Sequence, residues 1–297
     1  GFAMAEEKMR AEFGADLCDH RTWVIAGDGC LMEGISQEAI ALAGHLKLGR
    51  LIVLWDNNDI TIDGAVSLSD STDQLKRFEA SGWRTLSCDG HDPADIERAL
   101  TQAKQDDGRP VLVSCKTIIG FGSAAKGGTS GVHGSPLGIE EIAATRLAYA
   151  WDHGDFELPD ELVARWRELG RRGAADRQAW AARVDSLDEG KRNAFAARVS
   201  GEASDRLAPA IADLKRKASE DKPKVATRKA SELVLEVVNP ILPETLGGSA
   251  DLTGSNNTLT KDLGVFSAEN RLGRYIHYGI REHGMAAAMN GLVLHGG

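Results

Sequence analysis

The stretch Trp23-Val24-Ile25-Ala26-Gly27-Asp28-Gly29 joins a short apolar run to an acid between two glycines. The same order returns further along as Leu51-Ile52-Val53-Leu54-Trp55 followed by Asp56-Asn57-Asn58. Two apolar runs bounded by turn residues, with a helical pattern over residues 36–48 between them, predict two buried parallel strands joined by a crossover helix. Both polar triplets then lie at carboxyl ends of strands, the edge where open α/β sheets bind ligands.

The residue types at this edge favour a metal ion together with a phosphate group. Asp28 offers a carboxylate oxygen, Asn58 an amide oxygen and Ile60 a backbone carbonyl, all hard ligands that suit Mg²⁺. Gly29 and the helix that opens near Ser36 offer backbone N–H groups to a diphosphate. A lone Gly-Asp-Gly is usually only a turn, and Asp28 and Asn58 taken separately could be turn formers bonded to their own backbone.

The alternation of strand and helix patterns continues to about residue 150 and predicts an α/β fold with a doubly wound, mostly parallel sheet. The next seventy residues or so are rich in Ala, Arg, Glu and Asp at helical spacing, which predicts a helical connector. After Pro223 the patterns predict a helix over 227–238 and strands over 245–249 and 275–278, the start of a second α/β domain. The predicted domains are 1–150, 151–222 and 223–297.

The ends of the sequence predict an incomplete protein. Residues 1–13 have the pattern of a helix interior without an initiator Met, and the chain stops just after another helical pattern. We therefore expect an internal fragment in which the first domain lacks its N-terminal part and the second its C-terminal part.

Composition narrows the function classes. The 297 residues are 42% hydrophobic and carry a net charge of −9, which argues against a nucleic-acid partner or an anionic membrane surface, since either needs a basic face. No apolar run approaches the length of a membrane span. The four cysteines lack metal-ligand spacing, so we expect small buried side chains in a reducing, cytoplasmic compartment, without disulfides.

Four strings, the first of which begins with the Gly27-Asp28-Gly29 triplet, resemble the transketolase family of thiamine diphosphate enzymes. The strings are Gly27-Asp28-Gly29-Cys30-Leu31-Met32-Glu33-Gly34, His133-Gly134-Ser135-Pro136-Leu137, Gly247-Gly248-Ser249-Ala250-Asp251-Leu252-Thr253-Gly254-Ser255-Asn256 and Arg274-Tyr275-Ile276-His277-Tyr278-Gly279-Ile280-Arg281-Glu282-His283-Gly284-Met285. The resemblance spans essentially the whole chain and is least specific in the connector. The family usually has alanine where Ser135 stands.

The resemblance implies transfer of a two-carbon ketol unit from a ketose phosphate to an aldose phosphate through a thiamine diphosphate ylid, in the pentose phosphate pathway or the Calvin cycle. It implies thiamine diphosphate and Mg²⁺ as cofactors, with Ca²⁺ or Mn²⁺ able to substitute. It also implies a homodimer with active sites at the subunit interface.

Two catalytic residues follow from the resemblance. Glu282 is implied to hydrogen-bond the aminopyrimidine ring and to favour the tautomer that deprotonates the thiazolium carbon. His133 is implied to reach the diphosphate and the substrate and to steady developing oxygen charge. Without the resemblance, Glu282 would be a helix-start acid stabilised by the helix dipole, and His133 a surface residue of a glycine-rich loop.

Other binding roles are also implied by the resemblance. The cofactor-binding set is Asp28, Gly29, Glu33, Asn58, Ile62, His133 and Asp251. Arg228 and Ser255 match positions that bind the substrate phosphate beside His133, and a guanidinium fork suits a phosphate. Arg228 could equally be an exposed cation at a helix start. Glu33 and Glu38 resemble acids near the subunit interface that link the two active sites.

Other functions remain open at this point. Dihydroxyacetone synthase shares much of the pattern, and 1-deoxyxylulose-5-phosphate synthase normally differs from Gly279-Ile280-Arg281-Glu282-His283. A non-catalytic transketolase-like interaction protein is a further alternative, against which intact Asp28, Asn58 and Glu282 argue.

Overall fold

A computed structural model describes all residues from 1 to 297, with thirteen α-helices and six β-strands. The strands are β1 (Thr22–Gly27), β2 (Leu51–Asn57), β3 (Arg84–Asp89), β4 (Val111–Lys116), β5 (Gly247–Ser249) and β6 (Tyr275–His277). The helices are α1 (Phe2–Phe13), α2 (Asp28–Met32), α3 (Gly34–His45), α4 (Gln74–Ala80), α5 (Pro93–Ala103), α6 (Ile139–Ala148), α7 (Asp160–Arg171), α8 (Ala174–Asp185), α9 (Glu189–Ser200), α10 (Leu207–Asp221), α11 (Thr227–Val238), α12 (Thr253–Asn256) and α13 (Glu282–His295).

Four strands form one sheet in the order β1-β2-β4-β3, and β4 runs parallel to both β2 and β3. In this register Asn57 and Asp89 both lie opposite Lys116, so three strands end at the same sheet edge. β5 and β6 form a separate parallel pair. The prediction of an α/β fold with a mostly parallel sheet is confirmed.

The core of the large sheet lies between its central strands and α5. Ile52, Val111 and Val113 are fully buried. Ala99 and Ala103 of α5 pack on them, and these small side chains let the helix lie close to the sheet. α5 starts sharply because the Asp92 carboxylate accepts the Ala94 N–H at 2.9 Å. This packing fixes the strand ends that form the site.

The first strand differs from its prediction. The sequence pattern predicts a buried apolar run, but Trp23, Val24 and Ile25 are 42%, 38% and 80% exposed in this chain. β1 is the outer strand of the sheet and has β2 as its single neighbouring strand. Burial of an apolar strand depends on what packs over it, which periodicity does not reveal.

Several element boundaries also differ from the sequence predictions. The helix expected from about Ser36 begins at Gly34, and a five-residue helix, α2, starts directly at Asp28 where the pattern predicts a turn. β5 and β6 are each three residues long and so shorter than predicted. The predicted helix over 227–238 coincides with α11.

The chain divides into two compact units. The first comprises Gly1–Thr22, Glu38–Leu48 and Val184–Gly297, and the second Trp23–Gln37 and Gly49–Arg183. In the first unit α1 packs on α13, and the Phe13 and Phe195 rings meet edge to face. The second unit holds the four-stranded sheet, apart from Thr22 at the start of β1.

The four cysteines are free, and Cys30 is exposed rather than buried. Burial raises the pKa of the Cys18 thiol to about 11. Burial also raises the pKa of Cys115 to about 12, with a contribution from Cys88. No helix combines the length and the apolar character needed to cross a bilayer.

Candidate functional site

A cleft of about 1200 Å³ opens at the carboxyl ends of β1, β2 and β4 in the second unit. Its walls come from the ends of these strands, α2, the turn after β2, the segment after β4 and the loop before α6. Seven residues predicted from the sequence line it together: Asp28, Gly29, Glu33, Asn58, Ile60, Ile62 and His133. Residues far apart in the sequence therefore meet at the sheet edge that the strand pattern predicted.

Asp28 is the most unusual of these side chains because it is buried, with 8% of its surface exposed. The Trp55 indole donates a hydrogen bond to Asp28 Oδ1 at 3.0 Å, whereas buried Oδ2 has no hydrogen-bond partner. Burial raises the pKa of Asp28, and the charges of Asp59 and Asp56 also raise it, whereas hydrogen bonding from the Trp55 indole and from the Asp59 backbone N–H lowers it. A cation would supply the partner that Oδ2 lacks and would offset this negative charge.

Asn58 and Ile60 form a tight turn beside Asp28. Asn58 Oδ1 accepts the Ile60 N–H at 3.0 Å, and Asn58 Nδ2 donates to Asp56 Oδ2 at 3.3 Å. Asn58 is therefore a turn former, but Oδ1 keeps a second lone pair for another ligand. No three His, Cys, Asp or Glu side chains are grouped to hold a metal ion. The predicted ligand set, with only one carboxylate, is compatible with that observation.

His133 also lines the cleft, and it follows a short 3₁₀ helix, Ser130–Val132. Gly120, with φ of 64°, faces the Val132 side chain, and a Cβ at Gly120 would lie 2.9 Å from Val132 Cγ2. His133 itself is exposed. Gly120 thus permits the 3₁₀ helix to pack closely against the segment that follows β4. His133 directly follows this helix.

Sequence reasoning missed one contact that supports the cleft and one part of its lining. The sequence pattern places Trp55 only in a strand, yet its indole N–H binds Asp28. Thr117 and residues 118–120 line the cleft directly after β4, and the Thr117 hydroxyl donates to Asp56. The strand-end rule applied to β4 would have identified the second group, whereas no sequence signal marks the Trp55 contact.

The first unit holds the other predicted residues. Asp251 is exposed, with a left-handed φ of 62°, directly after β5 and the buried Ala250. Ser255 is exposed in α12. The loop between them is fixed locally, because Ser249 Oγ accepts the Leu252 N–H at 3.1 Å.

Glu282 is exposed and is the first residue of α13. The Gly284 N–H of the same helix turn donates to Glu38 Oε2 at 2.6 Å, so a carboxylate fills a position that the helix N-terminus favours. Arg228 is exposed in the first turn of α11. Glu282 and Arg228 are therefore both helix-start residues that are exposed to solvent in this chain.

Family models match the chain over almost its whole length. Residues 1–206 match the thiamine diphosphate binding domain of transketolase, and residues 223–297 match its pyrimidine binding domain. The chain belongs to the transketolase family. The cleft residues fall in the first match, and Arg228, Asp251, Ser255 and Glu282 fall in the second.

Individual relatives agree with the transketolase assignment. The chain is 61% identical to a transketolase of Rhodobacter capsulatus and 54% identical to one of Cereibacter sphaeroides, with all of this chain aligned in both cases. It spans 44% and 45% of these relatives' lengths. A Pichia stipitis transketolase solved in complex with sedoheptulose 7-phosphate is 36% identical, with a TM-score of 0.91 over 99% of this chain and 45% of that one.

Proposed function

We propose that the complete protein is a transketolase that moves a two-carbon ketol unit from a ketose phosphate to an aldose phosphate. Family membership and the cleft at the strand ends support this activity. The sugar phosphate in the Pichia stipitis structure supports the substrate class. The observation that carries the proposal is the buried Asp28, one oxygen of which has no hydrogen-bond partner in a cleft large enough for a cofactor.

The proposed metal is Mg²⁺, with Ca²⁺ or Mn²⁺ as substitutes. Asp28 Oδ2, Asn58 Oδ1 and the Ile60 carbonyl would hold it, and diphosphate oxygens would complete its shell. A Cβ at Gly29 would meet no atom within 4 Å, so the surface beside Asp28 is open to a phosphate group. Without a cation, the buried Asp28 carboxylate keeps one unsatisfied oxygen and its negative charge would repel the diphosphate. Cofactor binding should therefore require the metal.

Thiamine diphosphate, when bound, supplies a nucleophilic carbon and a sink for the electrons of the two-carbon unit. Glu282 would hold a proton against the aminopyrimidine ring, and Asp251 would lie beside the thiazolium ring. Ile62 and Glu33 would contact the cofactor from the cleft wall. His133 would donate to oxygen atoms on which negative charge develops.

Arg228 and Ser255 would bind the sugar phosphate through charge-assisted and hydroxyl hydrogen bonds. Both side chains are exposed in this chain, as a contact with a soluble substrate requires. The proposal keeps the assignment of residues 1–150 to diphosphate binding, 151–222 to a connector and 223–297 to pyrimidine binding. It also includes a cytoplasmic homodimer with shared active sites, in the pentose phosphate pathway.

The test is a coupled assay of the complete protein with xylulose 5-phosphate and ribose 5-phosphate. With thiamine diphosphate and Mg²⁺ we expect release of glyceraldehyde 3-phosphate, and none after treatment with a chelator. Calorimetry in parallel would establish cofactor binding. Tight binding of cofactor and metal without any two-carbon transfer would overturn the proposed activity and favour a non-catalytic role.

A further inference from the structure

His91 has no assigned role in cofactor or substrate binding, yet it contacts one wall of the cleft. That wall is residues 117–122, here called the exit segment because it follows β4. Thr117 to Gly120 of the exit segment line the cleft. His91 lies outside the cleft, in the turn between β3 and α5.

Two contacts join His91 to the exit segment. The Ile118 N–H donates a hydrogen bond to His91 Nε2 at 2.9 Å. The His91 ring also stacks on Phe121, with centroids 3.9 Å apart and an interplanar angle of 18°. The hydrogen bond requires a lone pair on Nε2, so this nitrogen acts as the acceptor.

The turn that carries His91 is itself firmly held. The His91 N–H donates to Asp89 Oδ1 at 2.9 Å, and the Gly90 N–H donates to the Lys116 carbonyl at 2.7 Å. A Cβ at Gly90 would lie 2.5 Å from Thr117 Cγ2, so the turn is pressed against the end of β4. His91 therefore projects from a rigid base.

The exit segment contains no helix or strand, and besides His91 it is held by separate hydrogen bonds, such as those from the Thr117 N–H to the Asn57 carbonyl and from the Tyr149 hydroxyl to the Phe121 carbonyl. Gly120 and Gly122 both have left-handed φ angles, of 64° and 87°, in a segment without helix or strand. Gly120 also contacts Val132, the residue before His133. A shift of the exit segment would therefore alter the cleft wall and the support of the 3₁₀ helix that precedes His133.

We propose that His91 is a positioning residue that holds the exit segment in the shape required for thiamine diphosphate binding. It acts through the Ile118 N–H and the Phe121 ring and does not touch the cofactor. This inference rests on the proposed function, because the ligand of the cleft is the cofactor named there. It predicts an effect of His91 on cofactor affinity, with little effect on turnover once the site is filled.

Two substitutions in the complete protein separate the contacts. His91→Phe keeps a ring to stack on Phe121 but removes the acceptor, whereas His91→Gln restores an acceptor close to the position of Nε2. His153→Phe is the matched control, since His153 is also in the second unit and packs edge to face on Trp151, but does not line the cleft. Thermal unfolding of each variant establishes that it is folded.

Hydrogen–deuterium exchange without cofactor measures how strongly the backbone amides of the exit segment are protected. We expect exchange over residues 117–122 to accelerate about three- to tenfold in His91→Phe, the range expected for one lost hydrogen bond, and to return towards wild type in His91→Gln. With Mg²⁺ present, calorimetry should give a thiamine diphosphate Kd weaker by a similar factor for His91→Phe. The kcat at saturating cofactor should change less than twofold, and His153→Phe should match wild type in every measurement.

Unchanged exchange and unchanged Kd in folded His91→Phe would overturn the positioning role. Equal losses of kcat and affinity, or no rescue by His91→Gln, would do the same, since they indicate a general structural defect. If wild-type protein failed to bind thiamine diphosphate, the proposed function would fall instead. The exchange measurement would still decide whether His91 holds the segment.

Discussion

The two carboxylates central to the proposed chemistry have opposite surroundings. Asp28 is buried, bonded to Trp55, and flanked by other acids, whereas Glu282 is exposed at the start of α13. The environment of Asp28 is built entirely by its own unit. The difference teaches that local folding alone can bury the carboxylate proposed to bind the metal, whereas the acid proposed to serve the cofactor lies in solvent in this chain.

The largest effect is expected from substitution of Asp28, the buried carboxylate of this comparison. In the complete protein, Asp28→Ala should weaken retention of thiamine diphosphate in Mg²⁺ by more than about 100-fold, since even outer-shell partners of a metal are worth 10–100-fold. Calorimetry measures the change. Asp63→Ala is the control, because Asp63 lines the same cleft but is not a predicted ligand. Equal losses in both variants would mean that general negative charge matters rather than Asp28.

Mixing variants tests whether Glu282 acts with a partner subunit. Asp28→Ala and Glu282→Gln chains should each form inactive dimers. If active sites are shared across the interface, a mixed dimer has one doubly damaged site and one intact site. Random pairing then makes about half the dimers mixed and about a quarter of all sites competent. Activity should therefore return when the two variants are refolded together.

This outcome would place the two carboxylates of one site on different chains. Mass spectrometry is needed to establish that mixed dimers form. Mixed dimers without activity would show that Asp28 and Glu282 serve a site within one chain.

Substitution of Arg228 tests whether this exposed side chain binds the substrate phosphate. Arg228→Ala should cost on the order of 2–4 kcal/mol in kcat/KM with ribose 5-phosphate, because a charge-assisted pair with the phosphate is lost. With unphosphorylated glycolaldehyde as acceptor the loss should be small. The neighbouring Lys229→Ala, which removes an ion pair to Glu232 at 2.7 Å, serves as the control. A similar loss with both acceptors would assign Arg228 a structural role.

Trp55→Phe is expected to give the smallest effect, and it tests the contribution of the Trp55 hydrogen bond to the ionisation of Asp28. The change removes the indole N–H that binds Oδ1 but keeps an aromatic ring. Because this hydrogen bond lowers the pKa of Asp28, its loss should raise that pKa further and weaken Mg²⁺-dependent cofactor binding about three- to tenfold. Binding measured at several pH values checks this, with the larger deficit expected at lower pH. A deficit independent of pH would contradict it.

Much of the fold was predictable because its signals are local in the sequence. The apolar runs and turn residues placed β1 and β2, and the helical spacing placed α11 at its observed bounds. The strand-end rule then brought Asp28, Asn58 and Ile60 to one edge, where they line one cleft. These inferences need only the periodicity of neighbouring residues and the direction of parallel strands.

Other features depend on which segments meet in three dimensions. The Trp55 hydrogen bond joins β2 to the first residue of α2, and the exposure of Ile25 depends on what packs over β1. Neither leaves a signature in periodicity, because burial and hydrogen bonding are set by distant neighbours.

The sequence by itself determined the α/β class, the strand ends that carry polar side chains and, through its specific strings, the family. Only the tertiary structure decided that one Asp28 oxygen is buried without a partner and that His91 contacts the exit segment. The physical reason is that sequence patterns encode which face of an element is apolar, whereas the polarity and packing around a single atom depend on the contacts between elements.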